Sequence, residues 1–279
     1  MGLRGRGEAN HLTNSMERLS SKDGTPLAYD KIGSGPPIIL FDGAFCSRNF
    51  GPTPKLAPLL ASSFTVYAYD RRGRGDSGDT RPYAVEREIE DLETMINHGG
   101  RSAFVFSISS GAILALRAAA NGLNIRKLAV YEPPFMVGDV KHRPPADHTE
   151  QLTSLVSEDR LSDAMKYYLT KVIGVPRFIP AVMQLLPLWS KMKANARALP
   201  YDSAVCGDFM LPVQELSSIT IPTLVMAGSN SPQMLRDAVK TVSNTIPGAQ
   251  RCLLDGQTHN VSAKALAPVL MEYFNASQS

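Results

Sequence analysis

The chain has few cysteines and no long apolar run. Its 279 residues include three cysteines, Cys46, Cys206 and Cys252, and no two of them lie close together in the sequence. An odd count at these spacings indicates neither a disulfide framework nor a CxxC metal site, so no metal is expected. No segment approaches the roughly 18 consecutive apolar residues that a membrane-spanning helix needs. These absences favour a protein of the reducing cytoplasm.

An excess of charge of one sign is also lacking. The formal net charge is +3, and no block of Lys and Arg is longer than a few residues. This surplus gives no reason to expect a nucleic-acid or membrane partner. On charge alone, the "RRGR" at 71–74 is interpreted as a solvated loop. The N-terminus lacks the apolar core of a secretory signal, and residues 1–16 are predicted to be a disordered leader.

Strand-like and helix-like segments alternate along residues 17–279, which are predicted to form one domain. Residues 26–33 are interpreted as one arm of an antiparallel hairpin. The alternation is typical of an α/β fold with a mostly parallel, doubly wound sheet. Continuous apolar runs predict buried strands at 37–43, 64–70, 102–108, 125–134, 222–228 and 250–256.

The strand pattern stops over residues 136–218. This stretch is mostly helical in pattern and is broken by several prolines. The strands resume after it with the same buried character, so we predict a helical lid inserted over one end of the sheet rather than a second domain. Its many apolar residues indicate either an apolar substrate pocket beneath it or simple packing of the lid onto the core.

One short stretch, "FVFSISSGAIL" at 104–114, changes from a buried strand to a helix through small residues. A sharp strand-to-helix turn would place Ser109 at its apex, beside the N–H groups that open the helix. Ser107 and Gly111 flank the apex, where only small side chains fit. A second interpretation makes Ser109 a simple helix N-cap.

Four stretches in chain order carry a resemblance: "DG" after the first buried strand, "YDRRGRGDSGD" after the second, "SISSG" after the third and "DGQTHNV" near the C-terminus. Over about residues 20–275 the chain resembles the α/β-hydrolase superfamily. The resemblance implies that Ser109 is a nucleophile, that His259 is its base and that no cofactor is needed. It also implies hydrolysis of a carboxylic ester or lactone through an acyl-enzyme. The apolar residues of the lid favour a small-molecule substrate with an apolar acyl or lactone group.

The same resemblance implies an oxyanion hole built from two backbone N–H groups. One would belong to Ser110, directly after the nucleophile, and the other to Ala44. The family reads His-Gly-x where this sequence has Asp42, Gly43 and Ala44. A carboxylate at this position would oppose an oxyanion if it pointed inward.

The third member of a triad orients the histidine. Most of the family has an Asp after the penultimate strand, where this chain has Ser231. Some relatives carry the acid after the preceding strand, and there the sequence has Glu132, followed by two prolines. Glu132 is therefore assigned as the acid, with Asp208 as the alternative.

Other chemistries stay open or are disfavoured at this point. Cys46 is an alternative nucleophile, although a packed side chain is the simpler interpretation. A serine at the apex, rather than an aspartate, disfavours dehalogenase and epoxide-hydrolase chemistry. A nucleotide-binding protein is disfavoured because no G-x-G-x-x-G or Walker pattern follows a strand. The second function class is the same fold reused without hydrolysis, as a cyclase, a lyase or a ligand-binding protein.

Overall fold

An eight-stranded sheet forms the centre of the molecule, a computed structural model that describes residues 16–139 and 141–276. The strand order is β1-β2-β4-β3-β5-β6-β7-β8. β1 and β2 are antiparallel to each other, β2 is antiparallel to β4, and all other neighbours are parallel. The strands are β1 Met16–Ser20, β2 Pro26–Ile32, β3 Pro37–Phe41, β4 Thr65–Tyr69, β5 Ala103–Ile108, β6 Ile125–Tyr131, β7 Thr223–Gly228 and β8 Gln250–Leu254.

Helices connect the parallel strands and cover the sheet. They are α1 Thr53–Leu60, α2 Val85–Gly100, α3 Ser110–Ala120, α4 His148–Ser157, α5 Leu161–Tyr167, α6 Phe178–Met183, α7 Pro187–Lys193, α8 Leu199–Cys206, α9 Val213–Ser217, α10 Gln233–Thr245 and α11 Ala263–Asn275. A π-helical turn, Tyr168–Val172, continues α5, and a 3₁₀ turn, Ala196–Ala198, precedes α8. The fold class is confirmed, and all six predicted strands form. β8 is mostly exposed, however, so the prediction of a buried strand at 250–256 is wrong in that respect.

Both faces of the sheet are buried, which explains why the central strands are apolar without alternation. In β3, Ile39 and Phe41 pack into the larger apolar cluster with α2, α3 and α10. Ile38 and Leu40 point the other way and pack into a smaller cluster with α1 and α11. The carboxyl ends of the parallel strands therefore meet at one edge of a rigid, two-sided core.

One strand was not predicted. β1 begins at Met16, which the sequence places in the leader, and pairs with β2 over its whole length. Its side chains are mostly exposed, so the strand forms through backbone hydrogen bonds with no apolar periodicity to reveal it. The rest of the predicted leader, residues 1–15, lies outside the described residues.

Six helices, α4 to α9, occupy the chain between β6 and β7, where the sequence predicts a helical insertion. Its role as a lid stays a prediction. Within the described part of the chain, none of the helices combines the length and apolar character that crossing a bilayer requires.

Candidate active site

Ser109 lies at the sharp turn between β5 and α3. Its backbone has φ 59° and ψ −130°, a conformation that side-chain-bearing residues rarely adopt. The turn is fixed because the Ser109 N–H donates to the Tyr131 carbonyl at the end of β6, at 2.9 Å. Ser109 occupies the N-cap position of α3, but its hydroxyl makes no capping hydrogen bond to the helix. The strained backbone instead presents a partly exposed hydroxyl at the edge of the sheet.

Small residues allow the turn to close. A methyl group on Gly111 would lie 2.3 Å from Ser107 Oγ and 2.9 Å from the Asp42 carbonyl oxygen. Ser107 is fully buried and its hydroxyl donates to the Phe41 carbonyl at 2.7 Å. Serine fits beside the turn because its hydroxyl is directed to the neighbouring strand. Gly43 lies against the same turn, where a Cβ would be 3.0 Å from Ser109 Cβ.

His259 and Glu132 meet although 127 positions separate them in sequence. The distance from His259 Nδ1 to Glu132 Oε2 is 2.7 Å. The carboxylate is fully buried at the end of β6, whereas the imidazole is 46% exposed. Glu132 has φ 48°, so its backbone is strained like that of Ser109. An Nδ1–H that donates to Glu132 leaves Nε2 free to accept a proton.

The second oxygen of the Glu132 carboxylate is also occupied. Oε1 accepts hydrogen bonds from the Gly228 N–H, at 2.8 Å, and from the Ser231 hydroxyl. Burial by itself would raise the pKa of Glu132, but the hydrogen bonds from His259, Ser231 and Gly228 outweigh it and hold the pKa below its ordinary value. Glu132 is therefore an ionised carboxylate, and Ser231, at the usual place of the acid, supports it.

Asp208 is not part of this arrangement. It is exposed after α8, and its Oδ1 accepts a hydrogen bond from the Met210 N–H in its own loop. Of the two candidate acids, the structure brings only Glu132 to His259.

The loop that carries His259 is held against the end of β7. A Cβ on Gly228 would lie 2.2 Å from the Gln257 carbonyl oxygen, so only glycine lets the two backbones approach. The Asn230 N–H donates to that same carbonyl at 2.9 Å. From β6, the Tyr131 hydroxyl donates to the Thr258 carbonyl at 2.8 Å.

The two residues proposed for the oxyanion hole flank the turn. Ser110 is the first residue of α3, where an N–H has no partner within the helix. Ala44 follows Gly43, which packs directly on the Ser109 turn. Among the described residues, neither the Ser110 N–H nor the Ala44 N–H donates to a backbone or side-chain acceptor. Both N–H groups thus have no hydrogen-bond acceptor among the described residues.

The Asp42 carboxylate is buried and contacts the start of α1. Its Oδ2 accepts from the Thr53 N–H at the start of α1, at 3.2 Å, and lies against Gly51. Its Oδ1 is buried without a hydrogen-bond partner among the described residues. Burial raises the pKa of Asp42 to about 7. The residue is thus partly protonated near neutral pH, which weakens the repulsion expected from an aspartate next to an oxyanion hole.

Sequence reasoning missed an ion-pair cluster behind the turn. Arg71 and Arg74 are fully buried, so the interpretation of this stretch as a solvated loop is wrong. Arg71 binds both oxygens of Glu88, at 2.6 and 2.8 Å, and Oδ1 of Asp202 at 2.9 Å. Asp202, in α8, also accepts from the Ser110 hydroxyl at 2.8 Å and pairs with Arg74 at 2.7 Å. Only the unusual density of arginines beside glycines hints at such a cluster in the sequence.

Cys46 lacks the features of a nucleophile. Burial, together with the nearby carboxylates of Asp42 and Asp202, raises the pKa of its thiol well above the ordinary value. A thiol of that kind is not ionised near neutral pH. Within residues 16–139 and 141–276, no three His, Cys, Asp or Glu side chains are grouped as metal ligands.

The geometry matches a known family. A family model described as "Alpha/beta hydrolase family" matches residues 35–265. The chain belongs to the alpha/beta hydrolase family. The general class of its activity is therefore hydrolysis.

Individual relatives agree with this family assignment. The crystal structure of an alpha/beta hydrolase from Sphaerobacter thermophilus is 50% identical, covers 93% of this chain and 100% of that one, and superposes with a TM-score of 0.87. The enol-lactonase from Burkholderia xenovorans shares the fold, with a TM-score of 0.71 and 18% identity over 93% of this chain and 100% of that one. The uncharacterized hydrolase YraK of Bacillus subtilis is 33% identical over 97 residues, which is 33% of this chain and 35% of YraK.

Proposed function

We propose that this protein hydrolyses carboxylic esters or lactones through an acyl-enzyme on Ser109, with His259 as the base and Glu132 as the acid. The observation that carries the proposal is the 2.7 Å hydrogen bond between His259 Nδ1 and the buried Glu132 carboxylate. Such a pair holds the imidazole through Nδ1 and leaves Nε2 to act as the proton acceptor. The strained turn that presents Ser109 supplies the nucleophile.

The reaction proceeds in two halves. Ser109 Oγ attacks the carbonyl carbon while His259 Nε2 takes the hydroxyl proton. The oxyanion accepts hydrogen bonds from the Ser110 and Ala44 N–H groups. Collapse of the intermediate breaks the bond to the leaving oxygen, which receives the proton from His259. Water then attacks the acyl carbonyl while His259 takes its proton. The bond from the acyl carbon to Ser109 Oγ breaks, the carboxylic acid product leaves, and Ser109 Oγ receives the proton from His259.

Glu132 acts on both halves by stabilising the imidazolium. Its carboxylate is fully buried and keeps its charge through hydrogen bonds from Gly228 and Ser231. A charge held in a buried site interacts with the imidazolium more strongly than one in water would. Glu132 thus replaces the Asp that most of the family carries after the next strand.

An apolar acyl group or lactone suits the surroundings of the oxyanion loop. Phe45, directly after Ala44, packs edge-on against Tyr168 with ring centroids 5.4 Å apart. Tyr168 belongs to the helical segment between β6 and β7, which would act as a lid over the substrate. The enol-lactonase of the same fold acts on a lactone, and this favours lactones in a first substrate panel.

An active-site serine probe tests the proposal. A fluorophosphonate should label the wild-type chain with one probe per chain, and Ser109→Ala and His259→Ala should abolish labelling. Ser110→Ala is the matched control, because it removes a neighbouring hydroxyl but keeps the backbone N–H, and it should still be labelled. A folded wild-type sample that stays unlabelled would refute the serine mechanism and favour a non-hydrolytic use of the fold. A panel of p-nitrophenyl esters and lactones of graded acyl length would then define the substrate.

A further inference from the structure

Large apolar side chains are exposed along one short stretch of the helical segment. Leu185 is 84% exposed, Phe178 69% and Val182 57%. These three residues are spaced i, i+4 and i+7, so they lie on one side of α6 and its continuation. We call the stretch the cationic apolar face. Its apolar members are Ile173, Phe178, Val182, Leu185, Leu186 and Leu188.

These apolar side chains are not exposed because the segment lacks a packed inner side. α7 buries Trp189 and Met192 in the larger apolar cluster, while Leu188 faces outward. The inner side of this segment is thus already packed. Soluble proteins rarely expose so many large apolar residues together unless the surface binds something.

The charged residues that flank these apolar positions along the chain have one sign. Residues 164–201 contain six Lys and Arg and no Asp or Glu. Five of the cations are exposed, and of these Arg197 pairs with Asp159. None of the other four forms an ion pair with any residue that the structure describes. They flank the apolar residues on both sides along the chain and are Lys171, Arg177, Lys191 and Lys193.

We infer that the cationic apolar face binds the surface of an anionic lipid bilayer. Its apolar side chains would enter the boundary between headgroups and acyl chains, and its cations would pair with lipid phosphates and carboxylates. A second copy of the chain is a less suitable partner than a lipid surface. A two-fold contact through this face would place the four unpaired cations near the same four cations of the other copy, and they would repel each other. The inference departs from the expectation of no membrane partner, which came from the net charge of the whole chain, and it does not depend on the proposed function.

Vesicle sedimentation with the full-length protein tests the inference. We expect binding to phosphatidylcholine vesicles with 30% phosphatidylserine, and at least tenfold weaker binding to pure phosphatidylcholine, since each cation near an anionic surface strengthens binding about fivefold. Leu185→Ser and Phe178→Ser should each weaken binding about tenfold, because each removes a side chain that would be buried in lipid. Lys191→Ser should weaken it about fivefold.

Matched controls come from outside the face. Leu253→Ser removes an exposed leucine from β8, and Lys240→Ser removes an exposed lysine from α10. Neither should change vesicle binding. Binding that is absent, that ignores lipid charge or that survives Leu185→Ser would overturn the inference. Concentration-dependent self-association that Leu185→Ser abolishes, without vesicle binding, would also overturn it and assign the face to a second copy.

Discussion

Replacing Glu132 by glutamine should remove most of the catalytic rate while leaving the fold intact. Oε1 is held by two donors, the Gly228 N–H and the Ser231 hydroxyl. In Glu132→Gln the amide oxygen would keep this place, so the NH₂ group would face His259 Nδ1. A donor there forces the imidazole into the wrong tautomer and removes the charge that stabilises the imidazolium. The expected loss is about 10⁴-fold in kcat, or about 5 kcal/mol of transition-state stabilisation.

Hydrolysis of a p-nitrophenyl ester measures this loss. KM should change by less than a few-fold, because Glu132 is fully buried and would not touch the bound ester. Asp208→Asn, the exposed alternative, is the matched control and should stay within about twofold of wild type. A Glu132→Gln enzyme that keeps more than a tenth of wild-type kcat would refute the acid assignment.

Moving the carboxylate from position 132 to position 231 tests the same geometry. The Ser231 hydroxyl already reaches Glu132, so an aspartate at 231 would lie near the same imidazole. The double variant Glu132→Gln with Ser231→Asp should have a kcat at least tenfold higher than that of Glu132→Gln alone. Ser231→Asp alone should lose activity, because two adjacent carboxylates cannot both ionise and one pKa rises. No recovery in the double variant would mean that position 231 cannot take over the role.

Three further predictions concern the framework of the site. Asp202→Asn should lower the free energy of unfolding by about 3 to 5 kcal/mol in urea denaturation, because it leaves buried Arg71 without one partner; a loss below 1 kcal/mol would contradict a structural role for the ion pair. Gly228→Ala should lower kcat about 100-fold with an unchanged circular dichroism spectrum, because its Cβ would displace the Gln257 carbonyl and the histidine loop; activity near wild type would show that the loop can move aside. For Asp42, with its pKa raised to about 7, the native state binds more protons than the unfolded state between about pH 4 and pH 7. Stability should therefore fall by about 4 kcal/mol as the pH rises through this window, and Asp42→Asn should remove the fall; equal pH dependence in both proteins would contradict the buried, protonated state.

Local sequence patterns predicted most of the fold because the central strands are buried on both faces. Runs such as "PIILF" and "AFVFSI" are apolar over their whole length, a pattern that marks a two-sided strand. β1 was not predicted because an exposed edge strand has no such apolar pattern. The burial of Arg71 and Arg74 was not predicted because their shared partner, Asp202, lies 131 positions beyond Arg71 in the chain, and charge alone indicates solvent.

By itself, the sequence determined the strand-to-helix turn at Ser109, since small residues at fixed spacing are a local property. It also determined that the usual acid after β7 is missing, because Ser231 stands there. Only the tertiary structure decided which of Glu132 and Asp208 lies beside His259. That choice depends on where the parallel strands β6 and β7 end beside the histidine loop, a juxtaposition of segments about 100 residues apart that no local pattern records.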